Sequence, residues 1–414
     1  MAVIRPFRAI RPAAEFVSRV AALPYDVYKR EEARVAAGKE PLSFLNIDRP
    51  ETQFAEDYDM YAAEVYEKAA AMLREQREKG IYIQDEIPCY YLYELVMDGR
   101  SQTGLVACAS IDDYCSQVIK KHENTREEKE QDRIRHVDAC NAQTGPIFLA
   151  YRSTERLERL IAAEKERQAL YDFTSEDGIL HRVWKVSESE AASAIEQEFA
   201  QIPNLYIADG HHRAASAVKV GLKRRAEAVQ YDGTEEYNYF LSVLFPEKEL
   251  KILPYYRVVC DLNGYSEEEF LSEVRKNFIV EKSDTPVEAE QKGEFGMFLG
   301  GQWYRLLANK ELLNGTDPVR LLDVSVLQDA LLCPVLGIKD PRTDSRIDFV
   351  GGIRGLAELE RRVSLDMKVA FSVCPVLISE LFAVSDAGLL MPPKSTWFEP
   401  KLRSGIFIHE MSDK

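Results

Sequence analysis

The sequence predicts an α/β (α+β) fold, in which strand-like and helix-like segments alternate. Apolar residues at helical spacing over residues 54–73 predict an amphipathic helix. Two runs rich in β-forming residues, 89–96 and 103–111, flank a short polar turn and predict a hairpin. A third feature is a strand–turn–helix unit around Asp209, where a polar turn and a helical pattern follow an apolar run.

The remaining elements follow from the same reasoning along the chain. Residues 1–50 mix short apolar runs with prolines, so we expect strands and loops there. Gly80 is a stop signal for the helix before it, and Asp98-Gly99 favours the tight turn of the hairpin. The charged stretch 120–135 is either a solvated helix or a functional loop. Further patterned segments are a buried strand at 145–151, helices at both ends of 153–200 around a strand at 181–185, a strand at 205–208, a helix at 213–225, a strand at 251–260, a helix at 266–277, strands at 296–307, a helix at 322–332 and a terminal apolar strand at 405–409.

Composition limits the classes of protein. With 414 residues the chain is too long for one ordinary core, so two or three lobes are expected. The formal net charge of −16 opposes binding to nucleic acid or to an anionic membrane. No apolar stretch approaches the roughly 20 residues that span a bilayer, and the N-terminus has no secretory signal. The seven scattered cysteines form no Cys-x-x-Cys pair, which argues against a zinc ribbon or a disulfide framework. We therefore expect a soluble cytoplasmic protein.

The most informative segment is Asp209-Gly210-His211-His212-Arg213, which joins an apolar strand to a helix. A helix N-terminus has unpaired N–H groups and a partial positive charge, so it binds anions. Gly210 allows the backbone to approach a phosphate closely, and Arg213 offers a planar fork of donors. His211 and His212 add donors, and Asp209 is suited to hold Mg²⁺ or to accept a proton. The segment predicts a phosphate-binding site with catalytic groups.

A structural role for this segment is the alternative. Asp209 would then cap the helix, and the two histidines would fill a polar turn. Because a run of adjacent polar side chains rarely serves packing, we favour the functional interpretation.

A second candidate is the segment from Lys120 to Thr125, which contains His122-Glu123. The His-Glu pair is similar to the start of the zinc-protease pattern His-Glu-x-x-His, but Arg126 stands where the second histidine is needed. A zinc protease is therefore excluded. The charged residues that follow fit a solvated helix equally well, so both interpretations of this segment stay open.

A third segment, Pro393-Lys394-Ser395-Thr396, has a superficial similarity to the end of a P-loop. A P-loop needs glycines and free N–H donors around the phosphates, whereas Pro392 and Pro393 remove donors and fix φ. The sequence also contains no Gly-x-Gly-x-x-Gly. Neither the Walker motif nor the usual dinucleotide fingerprint explains this protein.

Several segments together resemble the domain-of-unknown-function 1015 family of bacteria and archaea, over essentially the whole chain. The segments that carry the resemblance are Pro24-Tyr25-Asp26-Val27, Lys121-His122-Glu123-x-Thr125, Asp132-Arg133, Tyr206 to Arg213, and Met391 to Phe398. The family label by itself implies no established chemistry.

Within that family resemblance, the chain is similar to archaeal free-serine kinases of the ParB/sulfiredoxin-like fold. Those kinases carry a His-Glu pair in an early loop, then a strand, an Asp-Gly-His-His-Arg turn and a helix; the gap between the two motifs is much longer here. The resemblance implies that Glu123 is the base for the serine hydroxyl, that Asp209 is catalytic, and that the turn binds nucleotide phosphates. The expected nucleotide-binding residues are His122, Thr125, Gly210, His211, His212 and Arg213, with Lys120 and Lys394 as auxiliary cations.

The resemblance implies a ParB/sulfiredoxin-like core at 85–260, an N-terminal elaboration at 1–84 and a C-terminal α/β region at 261–414. It implies a small-molecule kinase that transfers a phosphoryl group from ATP or ADP to a hydroxyl, with Mg²⁺ bridging the phosphates and free L-serine as the favoured acceptor. Such chemistry mainly requires positioning and charge stabilisation. The alternative is a nucleotide-binding regulator or sensor that does not turn its ligand over. We expect a small-molecule substrate and no nucleic-acid or membrane partner. These expectations are compatible with a homo-oligomer of this chain.

Overall fold

The structure, a computed structural model, describes residues 1–412. These residues form a mixed α/β fold, which confirms the predicted fold class. The chain divides into two compact units: the first unit contains Met1–Leu250 and the chain from Pro400 onward, and the second unit contains Lys251–Glu399. The second unit is therefore inserted, in sequence, into the first. The three-part division and the ParB/sulfiredoxin-like core expected from the sequence stay predictions.

The secondary structure alternates along the chain. The strands are β1 (Ile4–Arg5), β2 (Ile10–Pro12), β3 (Tyr82–Gln84), β4 (Tyr90–Met97), β5 (Arg100–Ser110), β6 (Ile119–Lys120), β7 (Ala142–Gln143), β8 (Ile147–Tyr151), β9 (Tyr171–Thr174), β10 (Leu180–Val186), β11 (Leu205–Asp209), β12 (Tyr239–Pro246), β13 (Ile252–Leu253), β14 (Tyr255–Val259), β15 (Phe278–Ser283), β16 (Glu294–Leu299), β17 (Gln302–Ala308), β18 (Ile347–Gly351), β19 (Val369–Val373), β20 (Trp397–Phe398) and β21 (His409–Glu410). The α-helices are α1 (Val17–Val20), α2 (Arg30–Lys39), α3 (Leu45–Asp48), α4 (Ala63–Glu78), α5 (Ile111–Cys115), α6 (Glu127–Cys140), α7 (Glu155–Lys165), α8 (Ser189–Phe199), α9 (His211–Glu227), α10 (Glu267–Val274), α11 (Asp323–Leu327), α12 (Leu356–Leu365) and α13 (Ile378–Asp386). None of the helices in the described part of the chain is both long and apolar enough to cross a membrane.

A nine-stranded sheet forms the centre of the first unit. Its order is β6-β11-β8-β12-β5-β4-β10-β9, and β1 also pairs with β5. Apolar side chains of α7, α8 and α9 share one core with those of the sheet. β4 and β5 form the predicted hairpin, with Met97 opposite Arg100. Asp98 and Gly99 have φ values of 52° and 77°, as a tight hairpin turn of this kind requires, so the hairpin prediction is confirmed.

Two neighbouring strands position the candidate site. β6 and β11 pair in parallel, with Ile119 opposite Leu205 and Lys120 opposite Tyr206. Because the strands run in the same direction, their carboxyl ends meet at the same edge of the sheet. The loop after β6 and the turn after β11 therefore leave the sheet side by side.

The helix predicted over 54–73 begins later than expected. α4 starts at Ala63. Before that point the backbone carbonyls are bound by side chains from elsewhere; the Arg34 guanidinium donates to the carbonyl of Phe54 at 2.8 Å. Phe54 itself is extended, with φ −110° and ψ 170°, so the chain is not helical there. The prediction is right from Ala63 onward and wrong before it.

Other predictions from the sequence had mixed outcomes. Residues 1–50 contain the strands β1 and β2, as predicted, but also α1, α2 and α3, which the prediction of strands and loops did not include. The buried residues of α2 are Ala33 and Ala37, too few apolar positions to produce a helical pattern. The strand predicted over 145–151 is confirmed by β8, and the strand over 181–185 by β10. The sequence analysis missed β9.

The second unit contains a six-stranded sheet with the order β15-β17-β16-β19-β14-β18. Its core includes Tyr256, Val258 and Leu359, so α12 packs against the sheet. The strands and the helix predicted between residues 251 and 307 are present as β13, β14, α10, β16 and β17. The helix predicted over 322–332 is α11 followed by a short π-helical turn.

Candidate functional site

A single glycine makes the turn between β11 and α9. Gly210 has φ 93° and ψ 32°, in the left-handed region. A Cβ at this position would lie 3.1 Å from the guanidinium of Arg213, so a larger residue would crowd the turn. α9 starts at His211, two residues earlier than predicted, so both histidines belong to its first turn. The N–H groups of that turn have no partners within the helix, which suits an anion.

The carboxylate of Asp209 stands at the end of β11 between two cations. Its Oδ2 lies 3.3 Å from Lys401 Nζ and 3.8 Å from Arg213 Nη2, and its Oδ1 accepts from the Gly210 N–H at 3.0 Å. Partial burial alone would raise the pKa of Asp209, but Lys401 and Arg213 outweigh it and lower the pKa to about 2. Asp209 is therefore ionised at neutral pH and is a weak proton acceptor.

Arg213 is held in place from behind the turn. Its Nη1 donates to the carbonyl of Pro146 at 2.5 Å. Its aliphatic stem packs beside Gly145, where an added Cβ would lie 3.5 Å from Cδ. Arg213 Nε is buried and has no hydrogen-bond partner among the described residues. A buried donor without a partner costs about 1–3 kcal/mol, which an oxygen of a bound anion would recover.

The two histidines of the turn accept hydrogen bonds from the loop after β6. His211 Nε2 accepts from the His122 N–H at 3.5 Å, and His212 Nε2 accepts from the Arg126 N–H at 3.0 Å. Burial, and then the neighbouring His122, lowers the pKa of His211 well below its ordinary value. Burial also lowers the pKa of His212. Neutral imidazoles that accept at Nε2 carry their proton on Nδ1, so they contribute donors but no positive charge.

His122 is the buried member of the loop. Its ring packs edge-on against that of His211, with centroids 4.5 Å apart. Burial lowers the pKa of His122 to about 4. Its Nδ1 is buried and has no hydrogen-bond partner within residues 1–412. The two motifs identified in the sequence are thus brought into direct contact.

Glu123 follows His122 and faces the opening of the site. Its side chain is 59% exposed, and its Oε2 lies 3.8 Å from His211 Nδ1. Thr125, further along the loop, donates its hydroxyl hydrogen to Glu130 of α6. Lys120 lies at the end of β6, opposite Tyr206 of β11. Of the loop residues, Glu123 is the one that combines an exposed carboxylate with contact to the turn.

Lys394 belongs to the second unit. Its Nζ lies 5.2 Å from the centroid of the Tyr255 ring, and its carbonyl accepts a hydrogen bond from Arg257. Its role as an auxiliary cation for a nucleotide stays a prediction.

Residues of two further family segments meet behind Arg213. The guanidinium of Arg133 lies 4.2 Å from the centroid of the Tyr25 ring, and Thr144 donates to Asp48 at 3.0 Å. Together with Arg213, these residues line a cavity of about 30 Å³. These contacts support Arg213, and the cavity has room for a water molecule.

Sequence reasoning missed Lys401. The residue lies in the segment of the first unit that follows the second unit, and its partner Asp209 is 192 residues away in sequence. The terminal apolar strand predicted over 405–409 is the nearest signal; the structure gives strand structure only at His409–Glu410, although Ile406 and Phe407 are fully buried.

The fit of a magnesium ion at Asp209 is limited by these contacts. Within residues 1–412, no three His, Cys, Asp or Glu side chains form a metal-binding group. Mg²⁺ commonly binds through one or two carboxylates together with phosphates. Both oxygens of Asp209 are already engaged, one with Lys401 and one with the Gly210 N–H. The present donor set fits an ammonium group better than a metal ion, and the expected Mg²⁺ site stays a prediction.

The chain matches the family described as protein of unknown function (DUF1015) over residues 4–325. The protein belongs to this family. The matched region of this DUF1015 protein includes the loop after β6 and the turn after β11, whereas Lys401 lies outside it. No curated protein matches the chain.

Several solved structures are distantly similar to this DUF1015 protein. A free serine kinase in complex with AMP has 14% identity, covers 73% of this chain and 91% of its own, and gives a TM-score of 0.34. A variant of a free serine kinase in complex with ADP has 14% identity, 73% and 92% coverage, and a TM-score of 0.35. SbnI from Staphylococcus aureus, truncated at its C-terminus, has 13% identity, 75% and 90% coverage, and a TM-score of 0.38. Likenesses at this level do not establish a shared activity.

Proposed function

We propose that this DUF1015 protein is a small-molecule kinase that binds ATP or ADP at the turn after β11. We further propose that it transfers a phosphoryl group to a hydroxyl, with free L-serine as the favoured acceptor. The observation that carries the proposal is the parallel pairing of β6 and β11, which sets Glu123 beside the turn from Asp209 to Arg213. A carboxylate, a phosphate-binding turn and an arginine at one edge of a sheet are the groups that phosphoryl transfer needs.

The phosphate-binding role falls to the start of α9. The N–H groups of its first turn are unpaired within the helix, and Gly210 leaves room for the Arg213 guanidinium beside the turn. Arg213 adds a fixed positive charge and a buried donor without a partner in the described chain. Because the histidines are neutral, positive charge at this turn comes from side chains such as Arg213 and Lys401, with Lys121 of the loop after β6 close to His211. Mg²⁺ carried by the nucleotide would neutralise further phosphate charge.

The two carboxylates have separate roles in this proposal. Asp209 stays ionised between Lys401 and Arg213, and its pKa of about 2 makes it a poor base. We assign it to orienting the two cations at the phosphates. The Glu123 side chain is exposed, and its carboxylate lies 3.8 Å from a ring nitrogen of His211, beside the phosphate-binding turn. Glu123 therefore accepts the hydroxyl proton.

The choice of serine rests on the resemblance in motif order to free-serine kinases, and it is tested directly. The purified protein is incubated with ATP or with ADP, Mg²⁺ and L-serine, and O-phosphoserine is measured by mass spectrometry. L-Threonine and D-serine serve as acceptor controls. Product with L-serine supports the proposal. If the protein binds nucleotide but no hydroxy amino acid is phosphorylated, the kinase assignment is wrong and a nucleotide sensor is the better interpretation.

A further inference from the structure

The segment that follows the second unit is firmly held in the first unit. Ser404 and Ala22 exchange backbone hydrogen bonds of 2.8 and 3.2 Å, and Ile408 and Ile10 exchange bonds of 2.9 and 3.0 Å. Between these two pairs, the hydroxyl of Tyr82 donates to the carbonyl of Gly405 at 2.9 Å. A segment fixed at several points presents its side chains in defined positions.

Lys401 stands at the start of this fixed segment. Two residues later, Arg403 forms an ion pair with Asp177 and donates to Ser175 at 3.1 Å, which anchors the chain close to Lys401. The ammonium of Lys401 lies 3.3 Å from Asp209 Oδ2, and its side chain is 18% exposed. The anchoring therefore holds a partly exposed ammonium at the phosphate-binding turn.

The charges around the turn indicate what that ammonium does. His211 and His212 accept hydrogen bonds from backbone N–H groups and are neutral, so they do not balance the charge of a phosphate. Nucleoside diphosphates and triphosphates carry several negative charges, and Arg213 supplies one positive charge. A lysine next to the turn supplies a second, as a compact cation with three donors.

We propose, on the basis of the proposed kinase function, that Lys401 is a catalytic residue whose ammonium moves from Asp209 to an oxygen of the bound nucleotide phosphates. In this arrangement Asp209 holds the ammonium in place until the phosphates enter. The site of the kinase would then be completed by a residue from beyond the second unit and outside the region that matches the family.

The experiment compares Lys401→Met with Lys401→Arg and measures affinity for adenosine, AMP and ADP by calorimetry, as well as kcat and KM. A lost contact to a charged phosphate weakens binding by about 10- to 100-fold. We expect this loss for ADP, no change for adenosine, and partial recovery in Lys401→Arg. The matched control is Lys248→Met, which removes a 65% exposed lysine 3.0 Å from Glu158 and should leave nucleotide affinity unchanged.

A double variant separates phosphate contact from a structural ion pair. If Lys401 only neutralises Asp209, the double variant Lys401→Met/Asp209→Asn should regain the stability and the nucleotide affinity lost in Lys401→Met, and the inference would be overturned. If Lys401 contacts phosphate, the double variant should still bind ADP weakly. Unchanged ADP affinity in Lys401→Met, with a wild-type protein that binds and turns over nucleotide, overturns this inference alone. A wild-type protein that binds no nucleotide overturns the proposed function and this inference with it.

Discussion

The first unit contains two clusters of polar residues around histidines, one around His181 and one at the turn with His211 and His212. The two clusters differ in the hydrogen-bond partners of the ring nitrogens. In the buried cluster, His181 Nδ1 is 2.9 Å from the Tyr93 hydroxyl, and Nε2 is 2.9 Å from the Ser175 hydroxyl. The ring stacks on Phe173 and is completely buried. In the cluster at the turn, His211 and His212 are bonded to backbone N–H groups instead. Side-chain partners on both nitrogens of His181 indicate a role in stability, whereas each histidine of the turn has a backbone partner on Nε2.

The segment that follows the second unit contacts both clusters. Arg403 donates to Ser175 and approaches His181 Nε2 to 3.4 Å, while Lys401 reaches Asp209. Both contacts are ionic or charge-assisted, yet the Arg403 side chain is almost completely buried and the Lys401 side chain is partly exposed. Burial, and not residue type, distinguishes a structural cation from one that is available to a substrate.

The largest effect is expected for Glu123→Gln, in the cluster at the turn. The amide keeps the shape of the side chain but cannot accept the hydroxyl proton, so kcat should fall by about 10²–10⁴-fold while nucleotide affinity is retained. Steady-state kinetics with L-serine and calorimetry with ADP measure the two quantities. Near-normal kcat would mean that Glu123 is a solvent-exposed residue of a charged loop.

A loss of stability without a loss of binding is expected for His181→Ala, at the buried cluster. The variant removes a hydrogen bond to the buried Tyr93 hydroxyl and the ring that stacks on Phe173, so the free energy of unfolding should fall by about 2–4 kcal/mol. Urea denaturation measures this free energy of unfolding. The matched variant is His212→Ala, in which the free energy of unfolding should fall by less than about 1 kcal/mol. Equal losses in the two variants would remove the distinction between the clusters.

Arg213→Ala should weaken nucleotide binding by about 10- to 100-fold, because it removes a charge-assisted contact to phosphate. Its effect on the free energy of unfolding should be smaller than that of His181→Ala, since Arg213 makes one backbone hydrogen bond, to Pro146. Calorimetry with ADP and urea denaturation of the unliganded protein give the two values. The reverse order of effects would make Arg213 structural.

Per pH unit, the smallest effect is the pH dependence of stability that His181 produces. Burial, and then the charge of Arg403, lowers the pKa of His181 to about 3, against the opposing charge of Asp177. A histidine that is neutral in the folded state contributes stability above its unfolded pKa of about 6.5, and this contribution is lost as the pH falls towards 3. The slope is at most about 1.4 kcal/mol per pH unit. Unfolding between pH 7 and 4 should depend less on pH in His181→Gln than in the wild type; an unchanged dependence contradicts the assignment.

The parts of the site that could be predicted from sequence are those that are contiguous in the chain. The turn from Asp209 to Arg213 was identified because its residues are consecutive and stand between a strand pattern and a helix pattern. The contact of Glu123 with that turn depends on β6, a strand of two residues, Ile119 and Lys120, which is too short to leave a pattern. The similar order of the two motifs in free-serine kinases was needed to connect Glu123 with the turn.

The parts that could not be predicted depend on contacts between distant segments. Lys401 reaches the turn from 192 residues away, and no periodicity in sequence reports such a contact. The late start of α4 has a similar cause, since the arginine that binds the Phe54 carbonyl comes from α2. The hairpin of β4 and β5, by contrast, is local, and its turn residues predicted it correctly.

The insertion of the second unit has a consequence for the order in which the protein is made. A ribosome completes residues 1–250 first and then synthesises about 150 residues of the second unit before it reaches Pro400. At 5–20 residues per second, this interval lasts roughly 8–30 s. Throughout that time the first unit lacks the partner strand of β7, the guanidinium beside His181 and the ammonium beside Asp209. Lys401 therefore reaches Asp209 only after the whole second unit has been synthesised.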